Sequence, residues 1–549
     1  MVKNWKSIPA LLLCVAILTS CFTACGPSSG SSEVLSASSA GSGAQSSEEV
    51  PNLNTEGFPI VNEKIVLNIT CQQTTVQSDF NDMVILKNYE EKSNIDVNWT
   101  CIASEFVSEK RNIIMASNEL PDAFFKMGFS ATDVYKYAKE GSFVNLSPLI
   151  EKYAPDVKAV FEEFPEAETG LTMPDGNVYS LSYILAAPAI TSGGKPFFNS
   201  EALEMIGKEV PATLDEFTEV LRAFKTLDYN GNGIEDEIPY TSFSVAFAEN
   251  WLKGSFGLGT RGGKHAYVDV DKDGNLRFQQ TSDAYKQLLQ YENQLYTEGL
   301  LDQEIFSTDL SKLIAKGEEG RALCYSAANH AIIGSEYGDK AVGLSQPLVG
   351  PNGDQLWNNQ STSLSGVGNF IITGSNSYPE ATMRWENYWY SDDGIREYFM
   401  GVEGETYYVD ENGDYQYTDY VMNNPDGINY EQVLGAYVPW AGGGNPSVAN
   451  EKYFKGGEMQ SITKASSDAL YEYAPETIWP ALMWNEEDVD DMATISTDIE
   501  TYLNENRALF ITGQKSFDEW DNYVKGFEAL RIDRYLEIYQ NALTRYGLS

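Results

Sequence analysis

Asp228, Asn230 and Asn232 stand at alternate positions around Gly231 and Gly233 in the stretch DYNGNGIEDEIPY, residues 228–240. Hard oxygen donors on every second residue of a tightly curled loop are what calcium takes, because alternate side chains of such a loop turn inward. Aligned with an EF-hand loop, these three residues fill the first, third and fifth positions. Gly233 falls at the sharp turn, the Ile234 backbone carbonyl follows it, and Asp236 takes the ninth place. The twelfth place holds Pro239 where a bidentate Glu is needed, and Ile238 and Pro239 open an extended run, so no second helix follows. Calcium here therefore requires Glu237 to replace the missing carboxylate. The competing reading is a solvated Asn-Gly turn. A metal so enclosed would be structural, since its ligands leave little room for a substrate. DVDKDGN, residues 269–275, shows a similar alternation, but its strand-like flanks favour a plain hairpin turning at Asp273 and Gly274.

Residues that could do catalysis are sparse. His265 and His330 are the two histidines, neither in a zinc spacing, and no G-x-S-x-G or Walker loop occurs. The glycine-rich AGGGNP, residues 441–446, lacks the Lys and Ser/Thr of a phosphate cradle. Eighty carboxylates supply paired acids anywhere, so their presence does not single out glycoside hydrolysis. The aromatic residues are more informative. Trp251, Trp357, Trp440, Trp479 and Trp484 lie in loop-like or Pro/Gly-flanked surroundings, where flat rings could stack on the apolar faces of sugars. Packing between elements is the alternative for each of them. Trp440 ranks first, because Pro439 and the glycines after it suggest an exposed loop tip. Trp385, Trp389 and Trp520 sit on helical faces and are expected in the core.

The chain begins with basic MVKNWK, the apolar run IPALLLCVAIL and then SCFTACG, the three parts of a secretory signal. A small residue before a cysteine resembles a lipobox. Cys25, followed by Gly26, is preferred over Cys21, followed by bulky Phe22, as the lipidated residue; a plain secretory signal is the alternative. From Ser28 to Glu49 the chain is almost entirely Ser, Gly, Ala and Glu, a composition that cannot bury a core and behaves as a tether. The residues beyond it exceed what one core holds, so two or more lobes are expected. Asp and Glu outnumber Lys and Arg by 80 to 37, a formal charge of −43, which argues against nucleic acid as a partner.

Past the signal and Cys25, Cys71, Cys101 and Cys324 remain, too few for a disulfide framework. Cys71 and Cys101 end two strand-like runs, KIVLNITC and IDVNWTC, that could lie side by side, either bridged or as free buried thiols. These runs alternate with helical NDMVILKNYEEKSN and SEFVSEKRNIIMASNEL. In the second helix Phe106, Ile113, Ile114 and Leu120 fall near helical spacing, and DAFFKM follows as a strand, so a parallel α/β sheet is expected. Thr213 and Glu216 form a capping-box signature ahead of Leu214, Phe217, Leu221 and Phe224. Ser516 with Glu519 makes a second such signature, and Phe517, Trp520, Val524 and Phe527 make one apolar face.

The order of lipoprotein signal, tether, NELPDAFF, GNVYSL and PATLDEFTEVLRAFKTLDYNGNGIEDEIPY resembles the family 1 extracellular solute-binding proteins of ABC transporters. The resemblance is nearest to the large oligosaccharide-binding lipoproteins, the group that includes alginate-binding proteins. ITGQKSFDEWDNYVKGFEALRIDRYLEIYQNAL is similar to that group's C-terminal signature. The resemblance implies a two-lobed α/β fold of the periplasmic-binding-protein kind, with a hinge and an interlobe ligand cleft. It implies a signal over 1–24, a tether over 25–57 and a binding domain over 58–549. Lobe 1 is expected at about 58–190 plus 310–375, and lobe 2 at about 191–309 plus 376–549. It further implies one structural calcium on Asp228, Asn230, Asn232, the Ile234 carbonyl, Asp236 and Glu237. The implied partners are an oligosaccharide, the permease subunits and the membrane through a lipid anchor, with the protein a monomer and not an enzyme. A surface glycoside hydrolase and a non-transport glycan-binding adhesin are the alternatives.

Overall fold

The structure is a computed structural model that describes residues 50–426, 428, 430–441 and 446–548. Cys21 and Cys25, the two candidates for lipidation, lie outside the described residues. Among the described residues no helix is long and apolar enough to cross a membrane.

In chain order the strands are β1 Ile65–Gln73, β2 Ile95–Ala103, β3 Ala123–Phe125, β4 Leu181–Leu185, β5 Lys195–Asn199, β6 Thr241–Ser242, β7 Val268–Val270, β8 Leu276–Phe278, β9 Cys324–Ala327, β10 Ala341–Gly343, β11 Leu364–Ile372, β12 Tyr407–Val409, β13 Tyr415–Tyr417 and β14 Ser447–Ala449. They build two main sheets, one in the order β14-β4-β11-β3-β1-β2 and one in the order β10-β5-β9-β6, and two hairpins, β7-β8 and β12-β13. The strands β1, β2, β3, β4 and β14 run in one direction, with β11 antiparallel among them. The Ala123–Phe125 strand is buried at every residue, as a strand covered on both faces must be.

The two sheets assign the lobes differently from the boundaries expected above. β9 and β10 pair with β5, so 324–343 belongs to lobe 2 and not to lobe 1. β14 pairs with β4, and the helix Pro379–Asn387 packs on lobe 1, so the chain from 364 to 449 belongs to lobe 1 and not to lobe 2. The chain thus crosses between lobes three times, near 186–194, 344–363 and 450–460. The tether is also shorter than 25–57. Leu53 bridges Val61, and Arg384 donates to the carbonyls of Asn54 and Gly57, which ties the last seven of those residues to lobe 1.

Local signals explain most of the helices. The helix Leu214–Phe224 begins at Thr213, whose Oγ1 accepts the Glu216 N–H at 3.1 Å while Glu216 Oε2 accepts the Thr213 N–H at 3.2 Å. Its buried Leu214, Phe217, Leu221 and Phe224 join the lobe 2 core, as do Trp520 and Phe527 of the helix Trp520–Ala529. At Ser516 the side chain accepts the Asp518 N–H, and the reciprocal Glu519 arm of the box is not made. The helix Val107–Ser117 departs from expectation. Phe106 and Ile113 are 50% and 51% exposed, Val107 is its one buried residue, and Ile114 and Met115 are partly buried against the lobe 1 cluster.

Trp385 and Trp389 are core residues of lobe 1, at 1% and 0% exposure. Beside them Glu386 is fully buried, and neither of its carboxylate oxygens finds a protein partner, nor do Trp389 Nε1 and Tyr398 Oη. Burial pushes the Glu386 carboxyl well above the usual carboxylate range. The folded state therefore holds this proton more tightly than the unfolded chain. The resulting stability is complete below the unfolded value and is lost as pH rises towards the folded one, at about 1.4 kcal/mol per pH unit within that window. Glu386→Gln is expected to melt higher than the wild type at pH 8, with the gap closing by pH 4, as followed by thermal denaturation across pH.

Candidate functional site

The carboxyl ends of β1, β3, β4 and β14 lie along one edge of the lobe 1 sheet, and all three crossings leave or enter at that edge. In lobe 2 the carboxyl ends of β6, β9 and β10 share an edge with the amino end of β5, where the first crossing arrives. The two edges therefore face the seam between the lobes, the place where open α/β sheets hold ligands. Two of the crossings run side by side as a ribbon. Leu185 N–H donates to Ser363 O at 2.7 Å, Gly193 N–H to Asn359 O at 2.7 Å, and Ser361 N–H to Thr191 O at 3.0 Å. This pairing makes a hinge that can bend without breaking either chain.

Beside the ribbon lies a cavity of about 480 Å³ with both lobes in its wall, among them Phe164, Glu166, Thr191, Ser363, Tyr471 and Glu476. Further along the seam the segment 482–486 of lobe 2 reaches lobe 1. Met483 is buried in the lobe 1 cluster that contains Met127 and Phe124, and Lys139 pairs with Glu486 across the gap. A second groove, of about 550 Å³, opens here between Tyr135, Lys136 and Lys139 of lobe 1 and Trp484 of lobe 2.

Trp484 is the one of the five candidate tryptophans with substantial accessible surface. It is half-buried, and its ring lies 4.9 Å from that of Tyr539. The others are packing residues. Trp251 is 1% exposed, donates its indole N–H to Tyr240 Oη at 2.7 Å and meets Phe217 edge-on. Trp357 is 0% exposed and donates to Ser192 Oγ behind the hinge ribbon. Trp479 is buried beside His265. Trp440, expected at an exposed loop tip, is 4% exposed, donates to Phe399 O at 2.8 Å and is enclosed by Phe399 and Phe454. The preceding Pro439 carbonyl is likewise held inside, accepting from Gln77 Nε2 and from Lys126 Nζ at 2.8 Å. A buried indole needs a partner for its N–H, and Phe399 supplies it 41 residues away in sequence.

Polar groups at the two edges escaped the sequence reading. Lys126 follows β3, is 2% exposed and adopts φ 62°; burial pushes its amine down to about 7. Lys195 opens β5 at 0% exposure, and burial pushes it down to about 8, opposed by Glu458 on the third crossing. Glu458 also raises Tyr183 of lobe 1, second to the effect of burial, so one carboxylate acts on both lobes. Phe243 and Phe247, just past β6, are half-buried with ring centroids 4.2 Å apart. Phe247 lies so close on Gly194 that a Cβ there would come within 1.9 Å of the ring. The sequence signal was SFSVAF directly after a short strand, which a search for tryptophans passes over.

The loop after the helix Leu214–Phe224 curls through two glycines at φ 69° and 78°. Asp228 Oδ2 accepts the Gly233 N–H at 3.1 Å, Asn230 Oδ1 the Asn232 N–H at 3.1 Å, and Asn232 Oδ1 the Ile234 N–H at 2.7 Å. Asn232 Nδ2 donates to Asp236 Oδ1 at 3.1 Å. Glu237 is 7% exposed; its Oε1 accepts from the Tyr229 and Asn230 N–H groups, while Oε2 is buried with no protein partner. Among the described residues no three His, Cys, Asp or Glu side chains converge closely enough to hold a metal. A cation here would therefore draw on the two Asn side chains and the Ile234 carbonyl as well as carboxylates. The all-oxygen donor set and the unpartnered Glu237 Oε2 fit calcium.

Residues 85–405 match the family described as bacterial extracellular solute-binding protein. The chain is 28% identical over 529 residues to the fructooligosaccharide ABC transporter substrate-binding protein FusA of Streptococcus pneumoniae serotype 4, covering 92% of this chain and 95% of that one. A structure of a FusA EF-hand mutant in complex with fructo-nystose superposes with a TM-score of 0.70 at 26% identity, over 88% of this chain and 99% of that one. At the level of fold alone, an HMO-binding, ABC-transporter-associated solute-binding protein from Bifidobacterium longum infantis gives 0.76 at 20% identity, over 88% and 99%. The alginate-binding protein AlgQ2, solved without calcium ion, gives 0.67 at 21%, over 90% and 100%.

Proposed function

Because this chain belongs to the bacterial extracellular solute-binding proteins, we propose that it captures an oligosaccharide in the seam between its lobes and delivers it to the permease of an ABC importer. The observation that carries this reading is the facing of two strand-end edges across a hinge ribbon, with grooves whose walls come from both lobes. A ligand touching both walls stabilises the closed arrangement over the open one, and closure is a shape that a permease can recognise as loaded. The half-buried rings of Trp484, Phe243 and Phe247 suit the apolar faces of sugars. The buried amines and Glu458 suit their hydroxyls.

Kestose and fructo-nystose are the first probes, since FusA is the relative that aligns over nearly the whole chain. Calorimetry should show one saturable site, and small-angle scattering should show compaction on binding. Trp484→Ala is expected to raise Kd about three- to tenfold, the size of one aromatic stacking contact. Unchanged affinity in that variant removes Trp484 from the site. Release of reducing ends from a bound sugar would favour the hydrolase reading, and tight binding without compaction would favour the adhesin.

The loop 228–237 is assigned to one structural calcium held by Asp228, Asn230, Asn232, the Ile234 carbonyl, Asp236 and Glu237. When bound, the ion neutralises the loop's carboxylates and fixes the end of the helix Leu214–Phe224 relative to β6. The protein is taken to be a monomer tethered to the membrane through lipidated Cys25. Mass spectrometry of the mature N-terminus tests this, and lipid on Cys21 or an unmodified N-terminus would overturn it.

A further inference from the structure

Cys71 and Cys101 face each other in register on adjacent parallel strands β1 and β2, thirty residues apart, with Sγ atoms at 3.6 Å. Neighbouring strands lie about 4.7–4.9 Å apart, inside the Cα separation that a disulfide spans, so a cross-link needs rotation of the side chains and no movement of the backbone. The two thiols differ in their surroundings. Cys71 is fully buried, whereas Cys101, on the edge strand of the sheet, is half-buried and reachable from solvent. Cys101 Sγ donates to Asp79 Oδ1 at 3.6 Å. We propose that Cys71 and Cys101 are a reversible dithiol–disulfide pair, oxidised outside the cell by a low-molecular-weight disulfide of the glutathione class. An extracytoplasmic protein meets such oxidants, where a cytosolic one does not.

The chemistry follows from the difference in access. Cys101 is the thiol that solvent reaches, so it attacks first, as its thiolate; Cys71 Sγ donates to it and holds it below its usual range, against burial and the neighbouring Asp79 carboxylate. It displaces one thiolate from the oxidant and forms a mixed disulfide. Cys71 then loses its proton and attacks the Cys101 sulfur, expelling the second thiolate. One protein S–S bond forms as the oxidant's S–S bond breaks, two electrons pass to the oxidant, and the two protons lost by the protein leave with the two released thiols. Burial pushes the Cys71 thiol up, which makes this second step the slow one.

The bond would pin the edge strand to β1 immediately before Gln73–Gln77. That turn holds the lobe 1 wall of the seam through the bonds from Gln77 to Pro439 O and from Thr74 to Ala441 O. The test uses the full chain, reduced, then equilibrated with oxidised glutathione, denatured, alkylated and mapped by peptide mass spectrometry. The expected result is a peptide pair joined through Cys71 and Cys101 and lacking two hydrogens, with Cys324 still alkylated. The melting temperature should rise by about 3–6 °C and return on reduction. Cys71→Ser should stop at a single glutathione on Cys101. Full alkylation of both cysteines after equilibration, or dimers linked through Cys101, would overturn the proposal.

Discussion

Trp440→Ala is expected to lower the unfolding free energy by about 3–5 kcal/mol, the cost of emptying a fully packed aromatic site. The ring is enclosed by Phe399 and Phe454, and its N–H shares the Phe399 carbonyl with Tyr417 Oη, which stays as the remaining donor, so the cost is chiefly that of the emptied ring site. Urea denaturation of the variant should show the midpoint falling with little change in slope. The oligosaccharide affinity of the fraction that remains folded should stay near that of the wild type, the opposite pattern to Trp484→Ala. A stable Trp440→Ala protein with lost affinity would return this residue to the ligand site and reject the packing role.

Chelation is expected to have the second large effect. If the loop 228–237 holds calcium at about a thousandfold excess over its Kd, the ion contributes about 4 kcal/mol of stability, and a chelator should remove it. The carboxylates of Asp228, Asp236 and Glu237 would then repel one another, and the unpartnered oxygen of Glu237 would be left buried. The melting temperature of the wild type should fall by several degrees in chelator and recover with added calcium. Asp228→Ala should begin low and respond little. Equal responses of the two proteins to chelator would place the calcium elsewhere or nowhere.

What the sequence made legible was local. The Thr213 capping box, the apolar stripe of 214–224 and the β7-β8 hairpin follow from residues within a few positions of one another, and neighbours in sequence decide them. The oxygen spacing of 228–237 is local in the same way, which is why the candidate ligands could be named one by one before any fold was known. The resemblance to solute-binding proteins was carried by such segments, and it extended the reading to two lobes and a cleft.

Three features were not legible, and each depends on distant partners. Trp440 has the neighbours of an exposed loop tip, yet Phe399 and Lys126 supply the bonds that bury it and its proline, the lysine from more than 300 residues away. Lobe membership was misplaced because it is fixed by which strands pair: β9 and β10 join β5, and β14 joins β4, across long gaps in sequence. The pairing of Cys71 with Cys101 was open until the strand register set their sulfurs side by side. The sequence by itself determined the elements, the oxygen-rich loop and the family, because propensity, capping and donor spacing act over a few residues. Only the tertiary structure decided which aromatic rings meet solvent and which charges share the seam, because burial is a property of the whole packed chain and no short window contains it.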